Sequence, residues 1–554
     1  MYSSKENINM LTALLIAHGV RHAVVCPGSR NAPIVHNLNE ARIRCHAVTD
    51  ERSAGFFALG MAQALNDAVA VCVTSGSALL NLAPAVAEAF YQQVPLVVIS
   101  ADRPQAWIGQ LDGQTLPQQG ALGCFVRRSV TLPEPSDGVE RWHCNRLVNE
   151  ALIDMRRGAC CPVHINVPVS EPLFDFTVPE LPAERTVRRI QGMAVDAAAA
   201  GEIAGRLCSA SRPLVVMGQH APDSRIDKAL EALSRRFTVL CEPLGSGSAA
   251  SPADSALGMM DNAADYHPDF ILYAGGTVVS KRLKQFLRGA ASAETWAVSE
   301  DGGVHDTFCN QTAVVCGNTA EILAAIAGRA TGDGAPACAG ESARYLAAWQ
   351  ALLGAARQHA AAFRPRYSQM AAVRLFEEML GDADYGFSVH YANSSAVRLG
   401  CIYAPHHIYV NRGVNGIEGS LSTAAGFSAA TDDMTFCVTG DLSFFYDSNA
   451  LWNGSVGGNF RVLLLNNACG GIFKTLGGLS DSPVADSYVA GSHRSSAHGI
   501  CDAHDIGYIA ARDADTLARH METFLYSGTR RPLVFEVFTD AGEDAGALRD
   551  FHAR

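Results

Sequence analysis

Short runs of β-branched and aliphatic residues alternate along the chain with longer Ala-rich segments whose apolar residues recur at helical spacing. Residues 21–28, 68–76 and 94–104 are runs of the first kind, and each ends in turn residues that lead into a helical pattern. Apolar runs bounded in this way are typical of parallel strands buried on both faces, which need crossover helices between them. The pattern therefore predicts an α/β fold built on parallel sheets.

This alternation occurs in three series that two irregular stretches separate. The second series starts near Arg212 and the third near Ala371. Residues 169–189 contain several prolines and lack periodicity, and residues 328–342 are rich in Gly, Ala and Pro, which favours loops at both places. We expect three domains, with the ranges 1–180, 181–340 and 341–554.

The composition narrows the class of protein. The 554 residues are 48% hydrophobic and 18% charged, as in globular proteins, and the net charge of −12 argues against nucleic acid or an anionic membrane as main partner. The first residues lack the order of a signal peptide, and no run of about 18 apolar residues occurs, so we expect a cytoplasmic protein without a membrane span. The 16 cysteines are scattered without a CxxC motif, which favours reduced thiols over disulfides or a zinc site.

Two polar pairs follow predicted strands in the last part of the chain. Gly440 and Asp441 end one apolar run, and Asn466 and Asn467 end the next. The carboxyl ends of parallel strands share one edge, where α/β sheets bind ligands, and a carboxylate beside an amide oxygen suits a Mg²⁺ ion that also holds a diphosphate. A calcium loop is the alternative, but Tyr446 stands where such a loop needs Gly.

A cluster of charged residues, Asp50, Glu51 and Arg52, stands directly before residues 53–66, which are mostly Gly, Ala, Leu, Phe and Met. A helix this apolar is buried, so its first turn carries a carboxylate into the interior. Acids also occur at helix starts as caps, because the free N–H groups and the helix dipole favour negative charge. We expect Asp50 to be the helix cap and Glu51 to be an acid that takes part in catalysis.

Together these motifs resemble the thiamine-diphosphate-dependent enzymes. The paired strand ends look like the diphosphate-and-metal motif of that superfamily, residues 73–104 resemble its pyrimidine-binding domain, and Glu51 stands where the family has its activating glutamate. The sequences PGSR, TDERSAGFFALG, SADRP, SSAVRL and NRGVNGIEGSLSTAAG resemble more specifically the branch that acts in menaquinone biosynthesis. The resembling pieces span Pro27 to Phe473.

The resemblance implies three doubly wound parallel-sheet α/β domains of the thiamine-diphosphate enzyme type. These are a pyrimidine-binding domain at 1–180, a central Rossmann-like domain at 181–340 and a diphosphate- and Mg²⁺-binding domain at 341–554. It also implies a homodimer or homotetramer, with each active site between two chains. Thiamine diphosphate and Mg²⁺ are the expected cofactors, and Mn²⁺ also suits such an oxygen site.

The resemblance assigns the cofactor site residue by residue. The expected cofactor-binding residues are Glu51, Gly76, Ile417, Asp441, Leu442, Ser443 and Asn467. The expected metal ligands are Asp441, Asn467 and the backbone carbonyl of Cys469. Leu442 and Cys469 depart from the family pattern, in which we expect Gly at these places.

Four arginines lie in the matched motifs, after predicted strands or in Gly-rich turns: Arg30, Arg103, Arg398 and Arg412. A lone arginine is usually part of a surface ion pair. Four of them beside an anionic cofactor favour a substrate rich in carboxylates, because the guanidinium fork binds a carboxylate through two hydrogen bonds. The resemblance supplies two such substrates, 2-oxoglutarate and isochorismate. It implies that the enzyme decarboxylates the first and adds the resulting succinyl-semialdehyde unit to the second.

The resemblance also divides the remaining site residues by role. The expected catalytic residues are Glu51, Ser29, Arg30 and Gln114. The expected substrate-binding residues are Arg103, Lys281, Ser394, Arg398 and Arg412, with Ile472, Phe473 and Leu476 as an apolar wall.

Two other functions are weighed against this one. An acetolactate-type thiamine-diphosphate enzyme shares the cofactor motifs but acts on smaller, less anionic substrates, which the four arginines disfavour. A protein of this fold that binds without catalysis is disfavoured by the intact Glu51, Asp441 and Asn467. The pairs 406–407 (His-His) and 275–276 (Gly-Gly) are interpreted as structural, since neither matches a catalytic or nucleotide-binding pattern.

Overall fold

The computed structural model describes residues 1–189, 196–332, 334–475, 478–479 and 482–553. Its named strands form three sheets, and every neighbouring pair of strands within them is parallel. The predicted class of three parallel-sheet α/β units is therefore confirmed. The first and third sheets share one strand order, in which the first strand of the unit lies between the second and third, and the sixth between the fourth and fifth.

The first unit has the strand order β2-β1-β3-β4-β6-β5. Its strands are β1 (His22–Val25), β2 (Arg44–Ala47), β3 (Val69–Val73), β4 (Leu96–Asp102), β5 (Arg128–Thr131) and β6 (Val163–Pro168). Its helices are α1 (Glu6–Ala17), α2 (Ala32–Glu40), α3 (Glu51–Leu65), α4 (Ser77–Asn81), α5 (Ala83–Tyr91) and α6 (Gly138–Met155).

The central unit has the strand order β11-β10-β9-β7-β8. Its strands are β7 (Pro213–Met217), β8 (Thr238–Cys241), β9 (Phe270–Ala274), β10 (Glu294–Ser299) and β11 (Gln311–Cys316). Its helices are α7 (Ala197–Ser209), α8 (Ser224–Ser234), α9 (Ala253–Gly258), α10 (Lys281–Gly289), α11 (Thr319–Thr331) and α12 (Gly340–Ala362).

The third unit has the strand order β13-β12-β14-β15-β17-β16. Its strands are β12 (Phe387–Tyr391), β13 (Ile408–Tyr409), β14 (Met434–Gly440), β15 (Phe460–Asn466), β16 (Gly507–Ala511) and β17 (Leu533–Phe538). Its helices are α13 (Gln369–Leu380), α14 (Ser395–Tyr403), α15 (Ser420–Ser428), α16 (Asp441–Tyr446), α17 (His498–Ala503), α18 (Ala514–Tyr526) and α19 (Ala541–His552).

Alternate residues of the central strands pack on opposite sides of each sheet. In β3, Val69, Val71 and Val73 belong to a core that includes α3, whereas Ala70 and Cys72 belong to a core that includes α1 and α6. Helices therefore cover both faces of the sheet. This is why the strands appear in the sequence as continuous apolar runs.

The core on the α3 side of the first sheet continues into the third unit, where it includes residues of α15 and β15. The backbones of α3 and α15 approach closely at two glycines. A Cβ atom at Gly60 would collide with the carbonyl of Thr423, and a Cβ atom at Gly426 would collide with the carbonyl of Phe57. The first and third units are thus joined by a helix crossing that only glycine permits at these two positions.

The central unit has helices packed on its own sheet, and it also contacts the third unit. Trp349 of α12 is fully buried and makes edge-on ring contacts with Tyr266 and Phe286 of the central unit. Leu244 and Val279, which follow β8 and β9, join the core of the third unit. None of the described helices is both long and apolar enough to cross a bilayer, and the 16 cysteines are free thiols.

Gly426→Ala tests the helix crossing. The added methyl group meets the Phe57 carbonyl and forces α3 and α15 apart, an overpacking cost of roughly 1–3 kcal/mol. We expect a lower midpoint of thermal unfolding, measured by calorimetry. Gly201→Ala in α7 is the matched control, because its Cβ meets nothing within 4 Å and helix propensity favours Ala by roughly 0.5–1 kcal/mol. An unchanged or higher midpoint for Gly426→Ala would contradict the close crossing.

Candidate active site

The residues that the sequence singled out lie at or just beyond the carboxyl ends of strands in all three sheets. In the first unit, Ser29 and Arg30 follow β1, Glu51 follows β2, Gly76 follows β3, and Arg103 and Gln114 follow β4. In the other units, Lys281 follows β9, Ser394 and Arg398 follow β12, Arg412 and Ile417 follow β13, Asp441, Leu442 and Ser443 follow β14, and Asn467 and Cys469 follow β15. This is the edge at which parallel α/β sheets bind ligands.

Asp441 and Asn467 lie side by side, because β14 and β15 are paired in the sheet. Asp441 is only 3% exposed, and its Oδ2 accepts hydrogen bonds from the backbone N–H of Asn467 at 3.1 Å and of Cys469 at 3.2 Å. Its Oδ1 accepts a third, from the Leu442 N–H at 2.7 Å. Burial raises the pKa of Asp441, and these backbone N–H groups oppose that shift.

The donor set at this edge suits a hard cation that also binds a diphosphate. The Asp441 carboxylate, the Asn467 side-chain oxygen and a backbone carbonyl are oxygen donors of the kind that Mg²⁺ takes while it keeps positions for water and phosphate oxygens. The left-handed residue of the turn is Ala468, with a φ of 63°. Cys469, where the sequence resemblance led us to expect Gly, therefore meets no such strain, and its carbonyl remains a suitable ligand. The residues present fit the metal.

Two side chains that sequence reasoning missed support the same edge. Asp544 Oδ2 accepts hydrogen bonds from Asn467 Nδ2 at 2.8 Å and from the Thr539 hydroxyl at 2.9 Å, which orients the Asn467 amide. His493 Nε2 lies 3.4 Å from Asp441 Oδ2. Neither residue belongs to a recognisable motif, although Asp544 stands in the first turn of the helix that follows β17, a place where acids are common.

The start of α3 carries two neighbouring acids with different partners, Asp50 and Glu51. Asp50 Oδ1 accepts a hydrogen bond from the Ser53 N–H at 3.1 Å, which confirms Asp50 as the cap. Glu51 is half-buried, and its Oε2 accepts a hydrogen bond from Asn81 Nδ2 at 3.1 Å. The capping role is thus filled without Glu51.

The residues on either side of Glu51 bind the segment that follows Asp441. Asp50 Oδ2 accepts a hydrogen bond from Asn449 Nδ2 at 2.7 Å, and Arg52 donates to the Tyr446 carbonyl at 2.8 Å. These bonds fix the start of α3 against α16 and the turn after it.

Gly76, Arg103 and Gln114 come together around one loop. Gly76 has a φ of +80°, and a Cβ atom there would lie 3.2 Å from the backbone of Gln114, so glycine is required. Arg103 Nη1 pairs with Asp112 Oδ2 at 2.9 Å, and its Nε donates to the Gly113 carbonyl at 3.1 Å. Arg103 therefore holds the loop that presents the exposed Gln114.

Arg30 is buried and bound to the segment after β6. Its Nη1 donates to the Val169 carbonyl at 2.9 Å, and its Nη2 lies 3.1 Å from Glu171 Oε1. Ser29 beside it is exposed. The structure thus gives Arg30 two protein partners and leaves Ser29 accessible.

Arg398 and Lys281 lie where the central unit meets the third, and Arg412 lies close to Arg398. Arg398 and Lys281 line one cavity of about 530 Å³, whose wall also includes Glu242. Arg412 Nη1 donates to Asn393 Oδ1 at 3.2 Å, but its buried Nε has no partner among the described residues. Burial lowers the pKa of Arg398 and Arg412. A guanidinium with a buried donor that has no partner among the described residues favours an anionic ligand.

Ser394 has a strained backbone at the start of α14. Its φ is 76°, in the left-handed region that glycine prefers. Such strain costs on the order of 1–3 kcal/mol and persists mainly at functional sites. The half-buried hydroxyl is thereby placed one turn of helix before Arg398.

The remaining predicted residues lie around the turns that follow β13 and β15. The exposed Ile417 accepts a hydrogen bond at its carbonyl from Ser443 Oγ at 2.5 Å, which links its loop to α16. Ile472 and Phe473 are half-buried, and Phe473 packs against a small core at the end of β15. Leu476 lies outside the described residues.

A protein-family model described as thiamine pyrophosphate enzyme, N-terminal TPP binding domain, matches residues 8–122. This range holds β1 to β4 together with Glu51, Gly76 and Gln114. The three parallel sheets, the site at their carboxyl edges and this match define a thiamine pyrophosphate-dependent enzyme.

Three full-length relatives refine this class, each named 2-succinyl-5-enolpyruvyl-6-hydroxy-3-cyclohexene-1-carboxylate synthase. The protein of Bacteroides thetaiotaomicron is 43% identical over 564 residues, which covers 100% of this chain and 99% of the relative. That of Porphyromonas gingivalis is 34% identical over 565 residues, covering 99% and 97%. That of Desulfotalea psychrophila is 33% identical over 552 residues, covering 97% and 99%. The chain belongs to the 2-succinyl-5-enolpyruvyl-6-hydroxy-3-cyclohexene-1-carboxylate synthase family.

Proposed function

We propose that this protein decarboxylates 2-oxoglutarate and adds the resulting four-carbon unit to isochorismate. The products are 2-succinyl-5-enolpyruvyl-6-hydroxy-3-cyclohexene-1-carboxylate and CO₂, in menaquinone biosynthesis. The name of the relatives supports the product. The observation that carries the proposal is that Lys281 and Arg398 line one cavity, and that Arg412, close to Arg398, has a buried Nε without a partner in the described part of the chain. Both substrates are dicarboxylates, which guanidinium groups bind well.

Thiamine diphosphate is the proposed cofactor and Mg²⁺ the proposed metal, with Mn²⁺ as a substitute. When bound, thiamine diphosphate supplies the nucleophilic carbon and the electron sink that decarboxylation and carbon–carbon bond formation require. Asp441, Asn467 and the Cys469 carbonyl would hold the metal, and the metal would hold the diphosphate. The residues proposed to contact the cofactor itself are Glu51, Gly76, Ile417, Leu442 and Ser443.

Glu51 is proposed to hold a proton at N1′ of the cofactor's aminopyrimidine. An acid at this nitrogen favours the tautomer in which the neighbouring amino nitrogen accepts the proton from C2. The half-buried position of Glu51, together with Asp50 as the cap, leaves its carboxyl available for this role.

The two substrates are proposed to occupy different sets of residues. Ser394, Arg398, Arg412 and Lys281 would bind the carboxylates of 2-oxoglutarate and orient its ketone toward the cofactor. The residues proposed for isochorismate are Ser29, Arg30, Arg103 and Gln114. Ile472, Phe473 and Leu476 would form the apolar wall that excludes water from the reacting carbons.

A homodimer or homotetramer in the cytoplasm is the proposed form of the enzyme, with the first unit of one protomer facing the third unit of its partner. Large apolar side chains that are exposed near the predicted site support a covered surface, and they include Leu80, Val414, Ile417, Tyr446 and Trp452. The domain ranges 1–180, 181–340 and 341–554 stay predictions.

The closest rival function is that of an acetolactate-type enzyme. A spectrophotometric assay with Mg²⁺ and thiamine diphosphate separates the two. We expect turnover with 2-oxoglutarate plus isochorismate and little with pyruvate, because pyruvate leaves the cationic group without a second carboxylate. Turnover of pyruvate alone at a comparable rate would favour the acetolactate-type reaction.

Asp441→Ala tests the metal site. Without this carboxylate the diphosphate and its cation lose their main anchor, so we expect no binding of thiamine diphosphate with Mg²⁺ in titration calorimetry. Asp432→Ala, at an exposed position shortly before β14, is the matched control and should bind normally. Near-normal affinity in Asp441→Ala would refute the assignment of the metal site.

Arg398→Ala tests the proposed role of Arg398 in binding a substrate carboxylate. The loss of a charge-assisted pair should cost roughly 2–4 kcal/mol in binding of 2-oxoglutarate or of its transition state, seen as a lower kcat/KM. Cofactor affinity should be nearly unchanged. Arg519→Ala, on the exposed face of α18, is the control and should leave both quantities unaltered. A change confined to isochorismate kinetics would assign Arg398 to the other substrate.

Glu51→Gln tests the proposed catalytic role of the Glu51 carboxyl. The amide keeps the shape but lacks the acidic proton, so cofactor binding should survive while exchange of the C2 proton falls by about 10²–10⁴-fold. The exchange is followed by NMR of bound cofactor after quenching in D₂O. Glu140→Gln, in the first turn of α6, is a matched control and should exchange at the normal rate. A normal rate in Glu51→Gln would leave Glu51 with a structural role alone.

A further inference from the structure

Two buried glutamates bind the backbone directly beside the proposed substrate-binding cations. Glu88 of α5 is 2% exposed, and its carboxylate reaches from the first unit to the third. Its Oε1 accepts a hydrogen bond from the Gly413 N–H at 2.7 Å, and its Oε2 accepts one from the Val414 N–H at 2.6 Å. Arg412 immediately precedes these amides, so the carboxylate fixes the backbone from which Arg412 extends.

Glu242 repeats this arrangement in the central unit. It follows β8, is 5% exposed, and accepts hydrogen bonds from the Val279 N–H at 2.5 Å and the Ser280 N–H at 2.7 Å. Lys281 is the next residue and begins α10. In both places the two oxygens of one carboxylate hold two consecutive amides next to a cation.

Glu88 also lies at the junction of the three units. Gln92 Nε2 donates to Glu88 Oε1 at 2.6 Å, and Gln219 Nε2 donates to the Val410 carbonyl at 2.7 Å. Gln92 belongs to the first unit, Gln219 to the central unit and Val410 to the third. The backbone on both sides of Arg412 is therefore held by side chains from the other two units.

The Glu242 carboxylate also stabilises the nearby positive charge electrostatically, without accepting hydrogen bonds from the guanidinium of Arg412. The described hydrogen bonds of the Glu242 carboxylate come from backbone amides, so the guanidinium of Arg412 keeps donors for a ligand. Burial lowers the pKa of Arg412, Glu242 opposes this effect, and the neighbouring Arg398 adds to it. The carboxylate thus offsets repulsion between two cations that lie close together.

Keeping these glutamates charged is costly to the fold. Burial raises the pKa of both Glu88 and Glu242, although the backbone N–H groups act in the opposite direction. A neutral amide side chain has a single acceptor oxygen and could not accept both backbone N–H groups, whereas each carboxylate does so with its two oxygens. What distinguishes Glu88 and Glu242 from a purely structural carboxylate is their place, because each holds the two amides directly beside a proposed substrate-binding cation.

We propose that Glu88 and Glu242 are positioning residues that set Arg412 and Lys281 for a dicarboxylic 2-oxo acid. They fix the backbone beside each cation and supply nearby negative charge, while the Nε donor of Arg412, which has no partner among the described residues, stays open until the substrate binds. The inference deepens the proposed function and rests on it for the identity of the ligand.

Glu88→Gln and Glu242→Gln test this role. Each change turns one acceptor oxygen into an NH₂ group that faces a backbone N–H, so the adjacent cation loses its fixed position. We expect the KM for 2-oxoglutarate to rise about tenfold or more, because small misplacements of binding groups have effects of this size. The kcat at saturation and C2 proton exchange of the bound cofactor should be nearly unchanged. Hydrogen exchange should be faster at residues 413–414 and 279–280, respectively.

Asp269→Asn is the matched control. Asp269 accepts hydrogen bonds from the backbone N–H groups of Ser211 at 2.9 Å and Arg212 at 2.8 Å, the same two-amide arrangement. It lies before β9, at the amino-terminal edge of the central sheet and away from the cations. The variant should show faster exchange at residues 211–212 and an unaltered KM.

Two outcomes would overturn the proposal. One is faster exchange at residues 413–414 or 279–280 with an unaltered KM. The other is a loss of kcat and cofactor affinity with no selective effect on KM. Should the Gln variants not fold, Glu88→Asp and Glu242→Asp keep the charge on a shorter side chain and are expected to show smaller rises in KM.

The positioning role is separable from the proposed function. If the unaltered protein does not turn over 2-oxoglutarate, the proposed function fails. Crystal structures of the variants then still test the positions of Arg412 Cζ and Lys281 Nζ. Unmoved cations in both variants would overturn the positioning role, whatever the substrate is.

Discussion

The close crossing of α3 and α15 is the constraint on which the rest of the architecture depends. Gly60 and Gly426 bring the two backbones into contact, so the first and third units share one apolar core. The same crossing places the first turn of α3, with Glu51, against the segment that follows Asp441. A larger side chain at either glycine would separate the helices, and the carboxyl edges of the two sheets would move with them.

Buried carboxylates then set the fine geometry at those edges. Asp441 accepts three backbone N–H groups, and Asp544 orients the amide of Asn467. Glu88 and Glu242 hold the loops that carry Arg412 and Lys281. In all four carboxyls burial raises the pKa and hydrogen bonds from amide groups oppose it. Short bonds of this kind fix atoms far better than surface ion pairs, which contribute roughly 0–1 kcal/mol.

The sheet edge with Asp441 and Asn467 and the group of proposed substrate-binding cations are built on different principles. The edge consists of backbone and short side chains at the ends of paired strands, so its position follows from the register of β14 and β15. The cations extend from loops and helix starts of two units, and their flexible side chains need support from neighbouring residues. This difference explains why the oxygen donors could be recognised from two strand ends, whereas the supports of the cations could not.

The sequence by itself determined the class of fold, the edge where Asp441 and Asn467 lie side by side, and the cap of α3. Continuous apolar runs require sheets covered on both faces, and polar residues that directly follow neighbouring strands must share an edge. Only the tertiary structure decided that Glu88 binds an amide 325 residues away, that Lys281 and Arg398 line one cavity, and that Arg30 is held by the segment after β6. Local periodicity encodes which face of an element is buried. It does not encode which distant element covers that face, because that depends on how whole units pack together.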